Sequence, residues 1–155
     1  MCLTTRMPAA GGSSAPIVRA WPAAWCTVPM STLGPRLAQA IAAKDAAAVR
    51  ELVAVDVDFR GLTPGRAWEG TGPDALVEVL FGAWFEESDE VRALLDVTTG
   101  APVEDTWRVS YRLALRTPDG DATAEQQAYY RTEGGRITHL RVLCSGFRPA
   151  GSRPD

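Results

Sequence analysis

Two adjacent glycines between two alternating runs restrict this fold more than any other feature of the chain. Residues 124–147 read AEQQAYYRTEGGRITHLRVLCSGF. Gly134-Gly135 allows positive φ at both central positions of a two-residue turn, the geometry that matches the twist of an antiparallel pair. Such a turn pairs Glu133 with Arg136, and the remaining pairs follow by counting back. The count sets Glu125, Gln127 and Tyr129 on one face with Cys144, Val142 and Leu140. Gln126, Ala128 and Tyr130 fall on the other with Leu143, Arg141 and His139. The first face is expected to look inward.

The preceding run repeats the alternation. Trp107, Val109, Tyr111, Leu113 and Leu115 share one face, and Arg108, Ser110, Arg112 and Arg116 the other. Pro118-Asp119-Gly120 suits a three-residue loop closed by Thr117 and Asp121, which again puts Thr123, Glu125, Gln127 and Tyr129 beside the apolar face. Upstream, Val91, Ala93, Leu95 and Val97 form a less regular strand interrupted by Leu94. A four-strand antiparallel meander therefore ends the chain.

The first half is helical. Leu33, Leu37 and Ile41 recur at helical spacing behind Ser31-Thr32, and Asp45 is placed to cap a second short helix with Val49, Leu52 and Val53 inside. Residues 56–62 read as a strand, Thr63-Pro64-Gly65 as a turn, and the chain returns through Trp68. Pro73, at a favoured first helical position, opens a third helix with the stripe Leu76, Val77, Leu80, Phe81 and Trp84.

The 155 residues, 46% of them hydrophobic, suffice for one domain with a proper core. Residues 1–29 are rich in Pro, Ala, Gly and Ser without period and are expected to be a disordered tail, with Met30 a candidate translation start. The domain then spans 30–148, and 149–155 form a second tail. A net charge of −3 without Lys or Arg runs gives nucleic acid and anionic membranes nothing to attract; Lys44 is the only lysine. Three distant cysteines in no pairing or metal-ligand spacing point to a reduced, cytoplasmic setting. One His and scattered Cys supply no metal cluster, and no cofactor motif is present.

The helix pair LAQAIAAKDAAAVRELV, the AWEGTGPDAL entry to the third helix and the GGRITHLRVLCSGF hairpin resemble the nuclear transport factor 2-like superfamily, which includes ketosteroid isomerases and SnoaL-like polyketide cyclases. AEQQAYY followed by RVLCSGF is similar to a group of small bacterial members without a characterised activity. The resemblance covers residues 31 to about 148. It implies an α+β cone, a curved antiparallel sheet wrapped around three N-terminal helices with an apolar pocket. It also implies that the isomerase Tyr, base and acid fall on Leu37, Gly61 and Gln127, so none of the three roles is kept.

Within that cone, Trp68, Trp84, Tyr111, Gln127, Tyr129, Leu140, Val142 and Cys144 are the expected pocket residues, suited to a small apolar molecule. Glu125 is the weak catalytic candidate, an acid or base for a cyclase, isomerase or dehydratase acting on an apolar carbonyl compound. The plainer reading puts Glu125 at the rim or against an Arg. Cys144, with Glu125 as its predicted neighbour, lacks the positive partner that thiolate chemistry needs. Arg112, Tyr130, His139 and Arg141 compose the opposite face, where Tyr, Arg and His among apolar groups suit a homodimer contact. A non-catalytic dimeric interaction module is the third reading.

Overall fold

The computed structural model describes residues 30–151. The expected N-terminal tail, with its Trp21 and Trp25, lies outside the described residues. Helices α1 (Leu33–Ala42) and α2 (Ala46–Leu52) form as their periodicity predicts. Asp45 caps α2, its Oδ1 accepting from the Ala48 N–H at 3.0 Å. Helix α3 (Pro73–Val79) continues into a single π turn, Leu80–Trp84, closed by Phe85 N–H to the Leu80 carbonyl at 2.8 Å. The wider turn lets Leu80, Trp84 and Phe85 all enter the core.

Seven strands form one mixed sheet in the order β2-β1-β6-β5-β4-β3, with β7 added beside β5. They are β1 (Val53–Thr63), β2 (Arg66–Thr71), β3 (Glu90–Thr99), β4 (Trp107–Thr117), β5 (Gly120–Glu133), β6 (Arg136–Cys144) and β7 (Arg148–Pro149). The meander β3 to β6 is antiparallel, whereas β1 runs parallel to β6. The end strands do not meet, so the curved sheet stays open, and the helices lie on one side of it. The architecture is an α+β cone. Strand pairing through β7 and an Ala150 N–H bond to Asp121 carry the ordered chain just past the expected boundary at 148.

Strand β5 departs from the expected register. The Gly-Gly turn pairs Glu133 with Arg136 as predicted, both glycines having positive φ. Two residues later the ladder slips: Thr132 pairs with Ile137 but Arg131 with His139, leaving Thr138 as the extra residue of a bulge. The Thr138 hydroxyl donates to the Arg131 carbonyl at 3.4 Å, so a side chain serves a backbone acceptor beside the break. At the other end of β5 the loop is also one residue shorter than expected, with Thr117 paired to Gly120. The two shifts agree, and β5 is turned over along its length. Ala122, Ala124, Gln126, Ala128 and Tyr130 point inward, while Glu125, Gln127 and Tyr129 point outward.

Strand β3 is irregular for a related reason. Register shifts after Val91 and after Leu95, with Asp96 at φ 51°, turn Val91 and Leu94 to the core and leave Leu95 and Val97 part-exposed.

The turned-over β5 anchors the first helix. Tyr130 is buried, and its hydroxyl accepts the Gly34 N–H at 3.0 Å, one of the donors that a helix start leaves without an intrahelical partner. A Cβ at Gly34 would stand 2.8–2.9 Å from Val109 and Tyr130, so only glycine allows this approach. Tyr130 therefore belongs to the core and not to the expected dimer face.

Candidate functional site

The open end of the cone is built by β1, β2, β6 and the segment after the π turn. Gly61 and Trp68 are cross-strand partners on the inner face, and the Trp84 indole reaches across from the end of the π turn. Phe59 and Trp68 each meet Trp84 edge-on, with centroids 5.9 and 6.4 Å away. Trp68 is held by its Nε1–H to Thr63 Oγ1 at 2.8 Å and by the Arg66 guanidinium stacked 3.6 Å over its ring. On the opposite rim Phe147 stacks on buried Phe85 at 5.8 Å. Between these walls lies a cavity of about 410 Å³, lined by Trp68, Ala83, Trp84, Cys144 and Phe147 among others, with Glu86 and Asp89 at its edge.

Below the mouth the cone is filled. Tyr111, Phe59, Phe85, Leu140 and Val142 are buried, and the pair Gln126–Cys144 sits side by side on the inner face. The Tyr111 hydroxyl donates to Gln126 Oε1 at 2.6 Å, and burial pushes its ionisation far above the ordinary tyrosine range, with Cys144 adding to the effect. Among the described residues, two buried side-chain donors have no protein acceptor: Trp84 Nε1 and Gln126 Nε2. Such groups are rare in folded proteins, since each costs about 1–3 kcal/mol when unmet.

Lys44, at positive φ between α1 and α2, ties down the segment that carries Glu86 and Asp89. Its Nζ donates to the carbonyls of Glu86 and Asp89, while Asp89 Oδ2 accepts the Glu86 N–H at 3.2 Å.

The expected pocket residues therefore divide. Trp68, Trp84 and Cys144 meet at the mouth, with Tyr111, Leu140 and Val142 packed behind them. Gln127 and Tyr129 lie on the outer face because of the Thr138 bulge and the short Thr117–Gly120 loop. Gln126, which the sequence reading set outside, takes the inward place. Glu125 is half exposed, 3.5 Å from Arg112, on the outside of the cone. That agrees with the plainer reading of an Arg-paired surface carboxylate. Of the positions implied by the isomerase resemblance, Leu37 is core, Gln127 is outward, and Gly61 lies under Trp84.

The outer face carries its own arrangement. Cross-strand pairing sets Glu69, Arg60, Arg141, Tyr129 and Arg108 in one row and Ala67, Leu62, Leu143, Gln127 and Ser110 in the next. Arg141 Nη2 bonds Asp58 Oδ2 at 2.5 Å, which holds the Asp58 carboxyl below its ordinary range. A groove of about 620 Å³ runs between these rows. His139 is exposed further along β6, with Nδ1 3.1 Å from Thr138 Oγ1. Among the described residues no cluster of His, Cys, Asp and Glu is placed to hold a metal, and no helix is long and apolar enough to cross a membrane.

No protein-family model matches the sequence, and no curated protein matches it. Solved structures do match in shape. An LEH-like epoxide hydrolase from M. tuberculosis is similar at a TM-score of 0.57 and 14% identity, over 75% of this chain and 82% of that one. A candidate polyketide cyclase from Pseudomonas putida gives 0.58 and 15%, over 74% and 90%. A nuclear transport factor 2-like protein of unknown function from Mesorhizobium loti gives 0.55 and 19%, over 76% and 91%. The chain has the nuclear transport factor 2-like cone fold.

Proposed function

We propose that this cone domain binds a small, largely apolar organic molecule at its open end, between Trp68, Trp84, Cys144 and Phe147. The cavity there carries the reading: about 410 Å³, with Trp68, Trp84 and Phe147 among its walls. Thr63, Glu86, Ser88 and Asp89 add polar groups to the aromatic wall, and a concave site of this size that joins aromatic and polar side chains suits a small organic molecule. Three cysteines far apart in the sequence and in no pairing or metal-ligand spacing favour the cytoplasm as its compartment.

A cyclase, isomerase or dehydratase using Glu125 draws no support from this geometry, since Glu125 stands outside the cone beside Arg112. Titration with the neutral dye Nile red tests the binding reading. Saturable binding near one dye per chain is expected; a linear rise without saturation overturns it.

A second reading concerns the outer face. Leu62 and Leu143 are cross-strand partners, each 54% exposed, with Tyr129 nearby at 42%. Apolar groups ringed by Arg60, Arg112, His139 and Arg141 suit a homodimer contact, the finer version of the interaction-module reading. Sedimentation of the wild type against Leu143→Glu tests it: a dimer converted to a monomer supports the contact, and a monomeric wild type at high concentration ends it.

A further inference from the structure

We propose that the molecule held at the cone mouth is an organic cation, an alkyl-substituted ammonium, seated between the aromatic wall and the carboxylates of Glu86 and Asp89. This rests on the binding reading above and narrows it to a chemical class.

The first observation is a buried charge without a counter-charge. Asp89 is only 8% exposed and lines the cavity, with Glu86 beside it at an exposed position. A carboxylate withdrawn from water is costly and is ordinarily paired with a cation. Asp89 Oδ2 accepts the Glu86 N–H at 3.2 Å, yet among the described residues no Lys, Arg or His forms an ion pair with either carboxylate. Lys44, the only lysine, reaches this segment but gives its donors to the backbone carbonyls of Glu86 and Asp89.

The second observation is the wall that shares the cavity with Asp89. Trp68, Trp84 and Phe147 present aromatic rings, whose negative π faces attract cations, the indole most strongly. Trp68 already carries a cation on its ring in this structure, the Arg66 guanidinium at 3.6 Å. Rings favour apolar carbon, and carboxylates favour positive charge. An alkylammonium supplies both, because its charge is spread over the carbons that touch the rings. A neutral molecule of the same shape would leave Asp89 without a counter-charge and further from water. An anion would be repelled.

Choline and 3,3-dimethylbutan-1-ol form the test pair, equal in shape and differing by N⁺ against C. Binding is followed by NMR of the indole N–H resonances of ¹⁵N-labelled protein, with Trp68→Phe and Trp84→Phe used to assign the signals. Choline is expected to bind roughly tenfold more tightly than the alcohol, the scale of a partly desolvated cation on aromatic rings beside a carboxylate. Glu86→Gln, and Asp89→Asn, which keeps an oxygen for the Glu86 N–H, are each expected to cut that preference severalfold, with folding checked by circular dichroism. Equal affinity for the two probes, tighter binding of the alcohol, or a preference unchanged in whichever variant folds overturns the cation inference and leaves the binding reading standing. Failure of both probes overturns the cation inference alone if Nile red still saturates, and both readings if it does not.

Discussion

The indole of Trp84 covers Gly61 so closely that a Cβ at position 61 would stand 2.6 Å from two of its ring carbons. The isomerase resemblance implies a catalytic base at that position, and here an aromatic wall occupies the same space. Gly61→Asp is therefore expected to disrupt the mouth instead of installing a base. Overpacking of this kind costs on the order of 1–3 kcal/mol, and more for a carboxylate with no cation beside it. In thermal unfolding, the variant should melt several degrees lower and show no proton-transfer activity. Trp84→Ala added to Gly61→Ala should be less destabilising than the two single changes summed, because the clash is removed. Additive losses would contradict the contact.

The inversion of β5 makes neighbouring residues behave oppositely. Gln126→Leu strips the buried Tyr111 hydroxyl of its acceptor and should lower stability by about 1–3 kcal/mol in urea unfolding. Glu125→Leu, one residue away on the outside, loses only an exposed contact with Arg112 and should change stability by less than about 1 kcal/mol. The reverse order would restore the register expected from counting alone.

Most of the fold was legible because its signals are local. The Asp45 cap, Pro73 at a helix start and the alternation of Val109, Tyr111, Leu113 and Leu115 each act within a few residues. The face of β5 was not, because it depends on how many residues each turn uses. One extra residue at Thr138 reverses every side chain beyond it. A signal was nevertheless present in the strand itself. Ala122, Ala124, Ala128 and Tyr130 are the more apolar set, and the alternative buried Glu125. The desolvation cost of that carboxylate argues against the counted register. At the cone mouth, the meeting of Trp68, Trp84 and Cys144 was recoverable from their strand and helix positions. Gln126 was missed with the register, and the Lys44 contact joins segments far apart in sequence.

Lys44 holds the segment that edges the mouth, through the carbonyls of Glu86 and Asp89. A methionine there keeps the aliphatic stem and loses all three donors. Lys44→Met should speed amide hydrogen exchange across residues 86–89 severalfold while exchange in β4 and β5 stays unchanged. Unaltered protection of 86–89 would show that the π turn alone positions this edge.

Leu140 is fully buried against the core, so Leu140→Trp would overpack the interior instead of plugging a cavity. Ala83, on the π turn and in the mouth wall, is the residue from which a large side chain can fill the site. The most direct measurement compares Nile red binding by Ala83→Trp and Leu143→Glu, each checked for native circular dichroism. If the ligand occupies the cone mouth, Ala83→Trp abolishes binding and Leu143→Glu, in the outer groove, leaves it at the wild-type level. Binding retained by Ala83→Trp and lost in Leu143→Glu would move the site to the outside of the sheet and contradict the account.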